Sequence, residues 1–94
     1  MAVLHEAREH LSASTLDMKR AIDSLREELE AVDWYNQRAD ATGDDDLRAI
    51  LVHNMNEEKE HAAMLLEWIR RHDEAFDEQL RDYQFTEASI ASLE

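Results

Sequence analysis

Ninety-four residues make one small domain, and 23 acidic against 10 basic side chains give it a formal charge of -13. That charge argues against nucleic acid or an anionic membrane surface as a partner and draws cations towards the protein. The absence of cysteine excludes disulfides, iron–sulfur clusters and thiolate zinc, so any metal ligand must be oxygen or nitrogen.

With no proline, one glycine and abundant Glu, Ala, Leu and Arg, the composition is that of long helices. Leu4, Leu11, Met18, Leu25 and Val32 recur at heptad spacing, flanked by Ala7, Ala21, Ile22 and Leu29. This pattern predicts one helix over about residues 3 to 39, ending at Thr42-Gly43-Asp44, where Gly43 serves as a stop and an Asp caps the next helix. A second helix, about 46 to 72, carries Leu47, Leu51, Asn54, Glu58, His61, Leu65 and Trp68 down one seam. A short third helix is predicted from about 73 to 83 by Phe76, Leu80 and Tyr83, with an ambiguous tail from 84 to 94. The longest apolar run, Ala62 to Leu66, is far too short to span a membrane, and nothing resembles a signal peptide. A cytoplasmic or compartment-internal location follows by default.

The fold class expected is therefore all-α: a single domain over residues 1 to 94 built on a long antiparallel helical hairpin. Such a hairpin cannot enclose a core by itself. Apolar residues reading as outward, namely Ile22, Leu29, Ile50, Met55, Ala62 and Ile69, call for a second subunit, and a two-chain, four-helix bundle is the smallest solution.

Three ligand-type residues interrupt these apolar stripes. Glu28 lies on the line of Ala21 and Tyr35, while Glu58 and His61 form the one Glu-x-x-His of the chain. The motif alone says little, because 13 Glu and 5 His in this length give about 0.7 matches by chance. Their heights say more. In an antiparallel hairpin turning between 39 and 46, residues whose numbers sum to about 85 lie level, and Glu28 with Glu58 sums to 86. Dimetal carboxylate bundles take one Glu from each of two helices and a Glu-x-x-His from each of the other two. This chain supplies one of each, so a two-fold axis would complete the set between subunits. The mixture of carboxylate and imidazole suits Fe, Mn or Zn. The competing structural reading is a buried salt-bridge network in which His61 is satisfied by Glu28 or Glu58, with Arg26 or Lys59 nearby.

Other residues are less specific. Glu27 and Glu30 flank Glu28 as an outer cation site or simply a solvated face. Trp34 and Tyr35 read as packing, with Tyr35, two turns beyond Glu28, also placed to donate a hydrogen bond near the centre. His5, His10, His53 and His72 read as rim residues.

The stretches Glu27 to Tyr35, His53-Asn54, Glu57 to Met64, Leu66 to Arg71 and Phe85-Thr86-Glu87 resemble those of the encapsulated ferritins, over most of residues 20 to 87. The resemblance implies a homodimer assembling into a homodecameric ring, with ferroxidase activity at a di-iron centre shared by two chains. Glu28, Glu58 and His61 match its iron ligands, two irons per dimer. Glu27 and Glu30 match an outer metal site, taking Ca or another divalent ion, with Trp34 beside it, and Tyr35 matches an aromatic near the centre. It further implies cargo status inside an encapsulin nanocompartment in the cytoplasm, which stores the mineral. Family members continue into a linker and a shell-targeting peptide, so the resemblance implies a native chain extending past Glu94. Two other functions fit the residues alone: a non-catalytic helical scaffold with a structural Glu–His cluster, and another dimetal enzyme of the manganese catalase or peroxide reductase type.

Overall fold

A computed structural model describes residues 3–94. Two long antiparallel helices, α1 (Ala13–Ala41) and α2 (Asp45–His72), pack along their length and are followed by a short α3 (Glu74–Tyr83). Single 3-10 turns at Arg8–His10 and Ile90–Leu93 flank them, and the described residues contain no strand. No helix among them is long and apolar enough to cross a membrane.

The first helix begins ten residues later than the heptad pattern predicts. Leu11 is extended, and the Ser12 hydroxyl accepts a hydrogen bond from the Thr15 backbone N–H at 3.1 Å, capping α1. The hydroxyl-rich run Ser12, Ser14, Thr15 favours a cap over a helix interior. Leu4 and Leu11 are nevertheless half-buried, so the same apolar spacing serves a non-helical segment. Val3 and His5 line a shallow groove with Met18 and Ile22 of α1.

The hairpin turn is also built differently from expectation. Gly43 has no positive φ and open space around it, so its backbone freedom is not what ends α1. Arg48 instead clamps the turn, donating from Nε to the Ala39 carbonyl at 3.0 Å and from its guanidinium to the Thr42 carbonyl and Asp45. Asp44 caps α2 as predicted, accepting from the Leu47 N–H at 2.9 Å.

At the other end of α2, Asp73 ends one helix and caps the next, accepting from the Phe76 N–H at 2.8 Å. Arg70 bridges Glu67 of α2 and Asp77 of α3, and Arg81 adds a second guanidinium on Asp77. No residue of α3 is buried, so this ionic junction, more than apolar packing, sets its direction. Past α3, Phe85 takes a φ of 61°, a conformation unfavourable for a bulky side chain, and is fully exposed.

Among the described residues only Ala21, Ala39, Ala62 and Ile69 are buried. Small residues at a helix contact let the two backbones approach closely. Ala62 and Ile69 were expected to face outward, and the structure corrects this: both are covered within the chain, Ile69 at 1% exposure. Ile22, Leu29 and Ile50 do remain exposed, and Met55 is half-buried. The accessible surface is 7450 Å², against about 5,600 Å² for a compact chain of this mass. The radius of gyration is 17.0 Å, where a compact fold of this length gives about 12 Å. The molecule is extended and leaves large apolar side chains exposed.

Candidate metal centre

Glu28 comes from the middle of α1, and Glu58 and His61 come from α2, one helical turn apart. The register held at the Arg48 turn brings them level, as the residue-number argument requires. One ligand atom from each of the three lies within 4.8 Å of the others. His61 Nδ1 stands 3.6 Å from a Glu28 oxygen and 3.4 Å from a Glu58 oxygen. Both carboxylates are three-quarters buried, whereas the imidazole is 45% exposed, so the group is open on one side.

His61 meets both carboxylates, as the salt-bridge reading expects, while neither Arg26 nor Lys59 reaches them. Arg26 turns to Asp23 at 3.6 Å, and Lys59 lies 3.5 Å from Asn56. Among the described residues, no Lys or Arg forms an ion pair with Glu28 or Glu58. Two half-buried carboxylates therefore face one imidazole, an arrangement short of positive charge. A divalent cation would supply the missing charge, and the oxygen and nitrogen donors fit Fe, Mn or Zn. Three ligands leave such an ion coordinatively incomplete, and the open side is where further donors must come from.

Glu27 and Glu30 are exposed and do not join the three-residue cluster. Trp34, at 49% exposure, follows them along the same side of α1, and Tyr35 is half-buried. The sequence reading overlooked Arg38, whose guanidinium carbon sits 5.7 Å from both the Trp34 and the Tyr35 ring centroids. The signal was present in the spacing, four and three residues back on one helix. His5, His10, His53 and His72 are exposed, as a rim position requires. His53 does have a carboxylate at ligand spacing, Glu57 at 3.7 Å, but both are open to water. His72 stacks on Trp68 with centroids 3.9 Å apart.

A helical hairpin with two carboxylates and an imidazole gathered at mid-length defines a class, and the whole chain can be set against it. The chain belongs to the EncFtn-like family, whose model matches residues 3–87. A crystal structure of protein ne0167 from Nitrosomonas europaea has the same fold, with a TM-score of 0.90 and 65% identity, covering 94% of this chain and 97% of that one. An encapsulated ferritin-like protein from Rhodospirillum rubrum is 58% identical over 90 residues, 96% of this chain. The present chain spans 64% of that relative's length. A ferritin-like protein from Thermotoga maritima is 51% identical over 90 residues, covering 96% of this chain and 79% of that protein.

Proposed function

We propose that this chain is a ferroxidase, oxidising Fe(II) to Fe(III) with O2 at a di-iron centre completed by two copies. The observation that carries the reading is the convergence of Glu28, Glu58 and His61 without a guanidinium or ammonium partner. A two-fold copy doubles this set to four carboxylates and two imidazoles, the donor set of a dimetal bundle. The open side of the cluster leaves room for a copy's donors, and the exposed Ile50 offers it apolar surface to cover.

Iron enters this scheme as substrate. Each Fe(II) gives one electron and O2 accepts both, which is why two ions held together suit the reaction. Glu58 of each chain would be the carboxylate shared by the two irons, Glu28 the carboxylate held by one, and His61 would offer its nitrogen through Nδ1, the atom that faces both carboxylates. Tyr35 lies near the centre, and Glu27 and Glu30 with Trp34 form an outer site that receives Fe(II), Ca or another divalent ion.

Family membership supports a further step. The Rhodospirillum relative is described as encapsulated. We infer that this chain pairs as a homodimer, builds a homodecameric ring, and works in the cytoplasm as cargo of an encapsulin shell that stores the ferric product. The deciding experiment is anaerobic loading with Fe(II) followed by O2, recorded as ultraviolet absorbance and oxygen uptake. Prompt consumption of O2 with a ferric signal supports the ferroxidase. Iron bound without oxygen uptake supports a structural cluster, and turnover with manganese and peroxide alone supports the other dimetal chemistry.

A further inference from the structure

Arg38 is the arginine whose surroundings are hardest to explain by charge. In a chain of net charge -13, Arg20, Arg26, Arg48, Arg70, Arg71 and Arg81 each meet a carboxylate. Among the described residues Arg38 forms no ion pair, and neither does the exposed Arg8. Its guanidinium instead lies 5.7 Å from the centroids of two rings, Trp34 and Tyr35, within the range of a cation–π contact to both. Its backbone carbonyl accepts the Thr42 N–H at 3.1 Å, which anchors the residue at the end of α1. Trp34, Gln37 and Arg38 together line a shallow surface cavity.

The two rings belong to different lines of the helix. Tyr35 stands seven residues beyond Glu28 and Trp34 seven beyond Glu27, with Glu30 one turn before Trp34. One guanidinium therefore ties a ring on the line of the inner carboxylate to a ring on the line of the outer ones. A half-exposed Trp has several rotamers open to it, and a cation over its face selects among them.

We propose that Arg38 is a positioning residue that holds Trp34 and Tyr35 in one arrangement on α1, one turn beyond Glu30 and two turns beyond Glu28. This rests on the ferroxidase reading above, and it adds a role for a residue that binds no metal. Guanidinium geometry fits two rings at once, whereas an ammonium retains the charge and only part of the stacking.

The test uses a Trp68→Phe background, in which Trp34 is the sole tryptophan, with Arg38→Ala and Arg38→Lys added separately. Loss of the clamp in Arg38→Ala should raise quenching of Trp34 fluorescence by acrylamide. It should also change the initial rate of Fe(II) oxidation by about two- to five-fold, the range of an exposed cation–π contact. Iron bound per chain should stay constant, and Arg38→Lys should restore most of both properties. Quenching and kinetics unchanged in Arg38→Ala would overturn the proposal, as would a Lys variant no better than Ala. If the parent protein oxidises no iron, the ferroxidase reading fails, while the quenching comparison still upholds or overturns the clamp.

Discussion

Two ionic clusters sit on α2, and they are built to opposite ends. At the α2–α3 junction Glu67 and Asp77 face Arg70, Arg71 and Arg81 through close hydrogen bonds. Hydrogen bonds from Arg70 and Arg71 hold the Glu67 carboxyl at about 2, well below its ordinary value. Those from Arg70 and Arg81 lower Asp77 as well. About two and a half turns before Glu67, Glu58 and the α1 residue Glu28 share a single imidazole at 3.4 and 3.6 Å and have no guanidinium. The junction is neutralised from within the chain, so it needs nothing further and fixes geometry. The mid-hairpin cluster is left short of positive charge, which makes it a place for a cation.

The largest effects should come from the cluster. Glu28→Ala, Glu58→Ala and His61→Ala each remove two ligands from a two-fold site, and should lower iron oxidation by more than about 100-fold, beyond the loss typical of an outer-shell partner. Stopped-flow absorbance after O2 addition checks this. Retained oxidation in all three variants would move the chemistry elsewhere on the molecule.

Metal removal should come next. Without a cation, like charges on paired chains confront one another across the open side, so a chelator should shift the protein towards monomer or dimer and Fe(II) should restore the larger assembly. Native mass spectrometry reads this directly. Identical species with and without metal would mean that the cluster does not couple to assembly.

Acid should separate the two clusters. The folded-state pKa of Glu67 is depressed, so its contribution is complete above about 4.5 and is lost as the pH falls through about 2. Protons also compete with a metal for carboxylate and imidazole, without guanidinium to hold those ligands charged. Iron should therefore leave at a higher pH than the one at which α3 loosens. Hydrogen exchange in α3 and iron release, followed over one acid titration, should show that order. Arg70→Ala should expose α3 amides at neutral pH while oxidation stays near normal.

The smallest change should follow Glu27→Ala combined with Glu30→Ala. These exposed acids do not join the inner group, so iron stoichiometry should hold while oxidation kinetics shift a few-fold. Unaltered kinetics would return them to the role of a solvated face.

How much of this was legible in the sequence depended on whether a residue acts through periodicity or through a specific partner. Glu28, Glu58 and His61 were legible because an antiparallel hairpin converts residue numbers into heights, and their sum matched the turn. The third helix was legible from Phe76, Leu80 and Tyr83. The helix start was not, since Leu4 and Leu11 keep heptad spacing in a segment that is not helical, and the Ser12 cap decided the matter. Ala62 and Ile69 were assigned to the outer face because an apolar stripe wider than the seam does not say which edge is covered first. Arg48, Arg70 and Arg38 act across turns or on rings, and a side chain of that reach has many partners available until the backbone is placed.

The count of irons tests the half-site most directly. Anaerobic titration of Fe(II) against protein of known concentration should saturate at about one iron per chain, or two per dimer, because each chain brings only half of a dimetal donor set. Saturation at about two irons per chain, lost on Glu58→Ala, would mean that a single chain completes the centre and would contradict the account.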